Sequence, residues 1–249
     1  MWDPQILIIV SAVFLLAGCV KGVIGMGLPV VSVGLLAAFL GPKEAIALML
    51  VPSFLTNVWQ SVVGGSFVVL MRRLWTLLLA VCVGVWFGAA VLAAADAVVI
   101  SGALGLLLCL YAGIGLLTPQ VPTPGRREVW LSPVVGAVNG VLTGITGTFA
   151  FPGVPYLQAL GLPRDVFIQA MGILFTISTV ALAVALGGHG LLPAELGLLS
   201  TIAIVPAFAG MVGGQWIRRG IPEPLFRKVI LVCLLVLGLY LVARAVLVA

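Results

Sequence analysis

Charge is what this chain has least of. Of its 249 residues only 8% are Asp, Glu, Lys or Arg, whereas 63% are hydrophobic, and the mean hydropathy is +1.33. Too few polar residues are present to cover the surface of a soluble domain, so the composition predicts an all-α polytopic membrane protein. Reactive groups are equally scarce. The single histidine, His189, stands in Gly-Gly-His-Gly with no metal partner near it and reads as a loop residue. Cys19, Cys82, Cys109 and Cys233 are widely spaced inside apolar runs, with no Cys-x-x-Cys, and read as buried small residues. Leu16-Ala17-Gly18-Cys19 has the look of a lipoprotein cleavage box, but Asp3 stands where a basic region belongs, and the match is read as accidental. No Ser/His/Asp set, metal-ligand cluster or nucleotide loop is present, so neither an enzyme nor a cofactor is expected. The net charge of +5 is scattered over short loops, which argues against nucleic acid as a partner.

Glycine and long apolar runs are what the chain does have. Gly18-Cys19-Val20-Lys21-Gly22-Val23-Ile24-Gly25-Met26-Gly27-Leu28-Pro29 places four glycines, a proline and a lysine inside one such run. Glycine and proline weaken helices, and a lysine at membrane depth is a functional-site candidate by default. A second break of this kind spans Gly136 to Gly144, with Pro152 and Pro155 beyond it. Paired interruptions of this sort point to a transporter binding site.

Taken in order, residues 4–20 and 28–40 form a broken pair, each piece short of the roughly 20 residues a crossing needs. The pair is expected to make a tight hairpin or a re-entrant element. Spans are predicted at 44–70, 74–95 and 97–118, completing a first repeat over residues 1–118. Residues 119–130 form a polar, proline-rich linker, expected in the cytoplasm, and 131–249 form the second repeat. There, 131–148 and 150–161 match the broken pair, followed by spans at 164–187, 193–216 and 224–248. This makes eight hydropathy segments and about ten helical pieces. An offset of 121 maps Glu44 to Asp165, Asn57 to Ser178 and Phe87 to Phe208; near the break it is closer to 118, mapping Lys21 to Asn139. Arg72, Arg73, Arg126, Arg127, Arg164, Arg218, Arg219, Arg227 and Lys228, nine of the twelve basic residues, share one side if each half crosses an odd number of times. The positive-inside rule therefore favours two inverted-topology repeats, each a broken pair plus three transmembrane helices.

Lys21 has two readings: it snorkels to the headgroups, or it is a fixed positive charge for an anionic substrate. The second is favoured because apolar sequence flanks it on both sides. The glycines at 22, 25 and 27, and at 140, 144 and 147, are expected to expose backbone N–H groups beside it and beside Asn139. The two breaks are expected to face one cavity near the midplane. Asn57 and Gln60 lie one turn apart, with Ser178 matching Asn57 and Thr143 flanking the second break; each is a ligand contact or helix–helix glue. Glu44 and Asp165 read as first-turn carboxylates favoured by the helix dipole, with a gate or proton relay as the alternative. Pro52 and Pro206 are expected kinks, and Gly84-x3-Gly88 and Gly210-x2-Gly213-Gly214 are expected packing faces.

Gly22-Val-Ile-Gly25-Met-Gly27-Leu-Pro29, then Gly41-Pro-Lys-Glu-Ala45 and the weaker echo after Gly140, resembles the sulfite exporter TauE/SafE family. The resemblance covers nearly the whole chain. It departs in a first break less rich in glycine and a second reading Thr-Gly-Ile-Thr-Gly-Thr. It implies a multi-pass protein of the bacterial inner membrane that exports a small sulfur-containing anion such as sulfite, sulfoacetate or a similar organosulfonate. Export would proceed by alternating access, driven by the proton motive force. An anion channel, or an exporter of a different small organic anion, is the alternative. The implied partners are that anion and the lipid bilayer, with a second copy of the chain, as a homodimer, a further candidate.

Overall fold

The computed structural model describes residues 3–117, 122–218 and 222–248; residues 119–121 of the linker and Arg219 lie outside the described residues. Every regular element among the described residues is helical. The first is α1 (Pro4–Ile24), opened by Asp3, whose carboxylate accepts from the Gln5 N–H at 2.8 Å, and closed by Gly25 at φ +85°. After Gly27 at φ +105°, α2 (Leu28–Leu40) runs to Gly41. Three long helices follow, α3 (Pro42–Val62), α4 (Phe67–Ala94) and α5 (Ala97–Leu117). A 3-10 turn at Gly125–Arg127 leads into α6 (Glu128–Thr146), α7 (Gly153–Ala159) and α8 (Arg164–Gly188). The chain finishes with α9 (Ala194–Ile202), α10 (Ile204–Ile217) and α11 (Glu223–Val248). Among the described residues, eight stretches are long and apolar enough to cross a membrane, α9 and α10 together making one.

Four boundaries differ from the sequence expectation. First, α1 runs to Ile24 rather than residue 20, so Gly18 and Gly22 lie within it and the break is confined to Gly25–Gly27. At 21 residues and 1.5 Å per residue, α1 is about 31 Å long, enough to cross unaided. Second, Arg72 and Arg73 sit inside α4; the turn is at Gly64–Gly65, whose φ values of +131° and +75° suit glycine. Third, the second broken pair begins three residues early, at Glu128, and its short piece α7 ends at Ala159. Fourth, the span expected at 193–216 is interrupted at Ala203. Pro206 has no N–H for the Ile202 carbonyl, which accounts for the interruption there.

Two compact units do not follow the two halves of the chain. One comprises Met1–Pro52, Ala95–Thr118 and Leu192–Ala249; the other comprises Ser53–Ala94 and Pro119–Leu191. In the first, α1 packs on α10, and α5 on α11. In the second, α4 packs on α6 and α8, and α7 on α8. Long helices here are apolar on every side because the outward face meets lipid. On α4, for example, Leu74, Leu77, Val81, Val85 and Leu92 are buried while Trp75, Leu79, Val83, Phe87 and Val91 are exposed.

Glycine brings the paired helices together, by the same contacts in each unit. In the first, a Cβ on Gly18 or Gly22 would strike the carbonyl of Ala207 or Met211, and one on Gly210 or Gly214 that of Leu15 or Cys19. In the second, Gly140 and Gly144 press in the same way on the carbonyls of Val81 and Val85, and Gly84 and Gly88 on those of Ala137 and Val141. Small residues at such crossings let backbones approach closely enough for dispersion to hold them. Every α1 residue in this set has its α6 counterpart 122 positions later, and every α4 residue its α10 counterpart 126 later. Contact register therefore corrects the 118-residue mapping: Lys21 corresponds to Thr143, and Asn139 to Ala17.

Candidate functional site

In the first unit, Lys21 stands in the last turn of α1 and is only 4% exposed. Its backbone carbonyl accepts the Gly25 N–H at 2.7 Å, the bond that closes the helix. Burial at this level argues against the snorkelling reading, because a snorkelling ammonium reaches out to the headgroups. Lys21 lies near the C-terminal end of α1, where the carbonyl end of the helix favours a positive charge. Gly27 opens α2 without a side-chain cap, so the positive end of α2 and the negative end of α1 meet within three residues of the break.

A small cavity adjoins this break. It is lined by Val20, Ile24, Met26, Gly27, Tyr111 and Arg227, among others. The Tyr111 hydroxyl donates to Met26 Sδ at 3.7 Å, tying α5 to the residue between the two left-handed glycines. Sequence reasoning missed both polar members. Arg227 was counted only as a topology signal, and Tyr111 is a single polar group in an otherwise apolar helix, with no local partner to flag it.

In the second unit, Asn139 on α6 is 1% exposed, and its Oδ1 accepts the Gly153 N–H at 2.9 Å, so it caps α7 from fourteen residues away. Because a backbone N–H only donates, that bond fixes the amide orientation and turns Nδ2 away, where it has no partner. Ser178 on α8 is fully buried, and its Oγ also has no partner. Unsatisfied buried groups cost about 1–3 kcal/mol each and are uncommon enough to need a reason. Gly153 lies between the two side chains' surroundings: a Cβ there would stand 2.8 Å from both Asn139 Oδ1 and Leu174 Cδ2. Leu174 is one turn before Ser178 on the same face of α8.

Most other polar candidates have structural work. Gln60 Nε2 donates to the Ile168 carbonyl at 3.0 Å. Gln169 spans Ser61 and Ser66, donating to the Ser61 carbonyl at 2.8 Å and accepting the Ser66 N–H at 2.9 Å. Thr143 donates to the Thr148 carbonyl at 3.1 Å, holding the second break closed on itself. Asn57 Nδ2 donates to Ser53 Oγ at 3.0 Å, one turn back on its own helix. Gly22, Gly140 and Gly144 were expected to offer N–H groups, but they lie inside helices with a neighbouring backbone against them. Gly25 and Gly27 keep the role of chain break, as Gly147 does at the end of α6. The Glu44 carboxylate folds back over Gly41, where a Cβ would meet its Oε2 at 2.8 Å, and Asp165 is exposed. Both occupy the first turn of their helices, as the dipole favours. No group of three His, Cys, Asp or Glu side chains among the described residues is placed to hold a metal ion.

Buried polar groups at two chain breaks in a multi-span helical protein suit solute passage, and comparison supplies the family. Residues 10–241 match the sulfite exporter TauE/SafE family. The chain belongs to that family. Neither a curated protein nor a solved structure matches it. TauE/SafE proteins are membrane transporters of sulfur anions rather than enzymes. Within a TauE/SafE chain the two units divide their chemistry unevenly. The first holds the only charged side chain among the described residues that is fully enclosed, and the second holds the two unsatisfied neutral ones on α6 and α8.

Proposed function

We propose that this protein is a secondary transporter that exports a small sulfur-containing anion, sulfite, sulfoacetate or a similar organosulfonate, across the bacterial inner membrane. Alternating access coupled to the proton motive force is the mechanism, and the two halves are inverted repeats. The observation that carries the reading is Lys21: a lysine 4% exposed, one residue from a packing glycine and four from a left-handed break. An enclosed ammonium is retained in a membrane helix where an anion must be met. The recurrence of one glycine contact pattern at offsets of 122 and 126 supports duplication, and the distribution of nine basic residues supports inversion.

The test is transport in proteoliposomes under an imposed pH gradient. Wild-type protein is expected to accumulate sulfite or sulfoacetate against its gradient, which a channel does not do. Lys21→Met is expected to abolish binding and transport while the protein keeps its thermal stability in detergent. Lys21→Arg is expected to transport partially, because a planar guanidinium is shaped and hydrated differently from an ammonium. Normal transport by Lys21→Met would refute the reading.

A further inference from the structure

The geometry points to Asn139 Nδ2 and Ser178 Oγ as the donors that hold the transported anion's oxygens in the second unit, selecting head groups whose oxygens are all acceptors. This rests on the transporter reading and adds the chemistry of selection to it. The two atoms are what remains on α6 and α8 after the hydrogen bonds have been assigned. Around them, Thr143 is committed to Thr148, Gln169 to Ser61 and Ser66, and Thr179 to the Phe175 carbonyl at 2.6 Å. Asn139 and Ser178 are each at least 99% buried, so bulk water does not satisfy them. Their helices are in contact, a Cβ on Gly153 would stand 2.8 Å from both Asn139 Oδ1 and Leu174 Cδ2, and Ser178 follows Leu174 by one turn.

What these atoms recognise follows from their chemistry. Asn139 Nδ2 carries hydrogens and no lone pair to offer, and its Oδ1 is already used by Gly153. Ser178 adds a hydroxyl that is free to donate. No Asp or Glu is buried among the described residues, so no carboxylate waits inside to accept a proton. A sulfonate, or sulfite as its dianion, presents only acceptor oxygens and satisfies both donors. A phosphonate or hydrogen phosphate of equal charge presents an O–H as well. Turned toward Asn139, that O–H meets another donor; turned toward Ser178, it takes the hydroxyl as its acceptor, and the same anion oxygen loses that hydroxyl as a donor. The penalty is that of an unpaired buried polar group, and discrimination built this way exceeds what size alone provides.

A matched pair of probes isolates the effect. Sulfoacetate and phosphonoacetate share a skeleton and, at pH 7, a net charge, but the phosphonate head retains one proton. Wild-type protein in detergent is expected to bind sulfoacetate at least about tenfold more tightly, the order expected for one lost hydrogen bond to a charged group. Ser178→Ala is expected to weaken sulfoacetate binding several-fold without lowering the melting temperature, since the hydroxyl it removes bonds nothing in the protein. Asn139→Asp keeps the cap on Gly153 but turns the free donor into an acceptor. It is expected to weaken sulfoacetate and to narrow or reverse the preference for it over phosphonoacetate. Equal affinity for the two probes in wild type, or an unchanged preference in Asn139→Asp, would overturn the inference even with transport and the Lys21 requirement intact. Loss of binding in Lys21→Met with no selectivity between the probes would likewise leave the transporter standing and this inference refuted. A wild-type protein that binds and transports no sulfur anion would remove both.

Discussion

Two adjacent glycines on α10 provide a test in which the largest confounding effect cancels. Gly214 lies against α1, where a Cβ would strike the Cys19 carbonyl; Gly213 has nothing within 4 Å of the same position. Replacing either with alanine removes a residue that costs a helix interior about 0.8–1.0 kcal/mol in water, so both variants gain whatever part of that survives in the membrane. The Cβ at 214 adds a collision with backbone, which no side-chain rotation relieves, and α1 and α10 must separate. Overpacking of this kind costs about 1–3 kcal/mol, and sometimes more. The difference between the variants is therefore about 1–3 kcal/mol, with Gly213→Ala at or slightly above wild type and Gly214→Ala below it. Unfolding in mixed detergent micelles by titration with a denaturing detergent measures both on one scale. Gly22→Ala, aimed at the Met211 carbonyl across the same crossing, should reproduce the Gly214→Ala loss. The double variant should lose less than the sum, because one separation of the helices accommodates both methyl groups. Equal stability of Gly213→Ala and Gly214→Ala within about 0.5 kcal/mol, a spread typical of independent sites, would refute the packing argument.

Two further outcomes are expected. Gln169→Leu should destabilise the second unit by about 2 kcal/mol or more, because it strands both the Ser61 carbonyl and the Ser66 N–H, as melting in detergent would show. Single cysteines replacing the exposed Arg72 and Arg218, in a background without the four native cysteines, should react with a membrane-impermeant reagent only from the cytoplasmic side. Labelling of the two from opposite sides would end the inverted-repeat proposal.

The parts of the fold that depend on neighbours in sequence were legible. Helix ends at Asp3-Pro4, Gly41-Pro42 and Leu162-Pro163, and the apolar length of each span, follow from local chemistry. What sequence could not settle was the job of each glycine. Gly18 and Gly25 look alike in a row of letters, but one sits in a helix against the Ala207 carbonyl and the other ends that helix at φ +85°. The partner that decides between these roles is nearly two hundred residues away. Arg73 misled for a similar reason. As a charge in an apolar stretch it reads as a loop, yet its guanidinium makes two bonds to Glu128, at 2.7 and 2.8 Å, and so stays within α4. Gly213 was assigned to a packing face along with Gly210 and Gly214, but a one-residue step on a helix turns the side chain by 100°.

The contact register changes how the proposed duplication bears on function. If Lys21 and Asn139 were counterparts, the two breaks would be variations on one recognition group. With Lys21 opposite Thr143 and Asn139 opposite Ala17, the counterparts share packing and little else. Gly22 and Gly144 hold equivalent crossings, and Gly25 and Gly147 close equivalent helices through bonds of 2.7 Å to Lys21 and Thr143. The side chains at those last two positions diverge: an ammonium in one unit, and in the other a hydroxyl spent on its own backbone. Close backbone contact tolerates nothing larger than glycine, so the scaffold positions are constrained in both copies at once. Lys21 on α1 and Asn139 on α6 answer to no such constraint, and each is matched by a residue of different chemistry at the corresponding position of the other unit. The glycine crossings are thus shared by the two units, while the buried polar chemistry is not: a lysine in the first, an amide and a hydroxyl in the second.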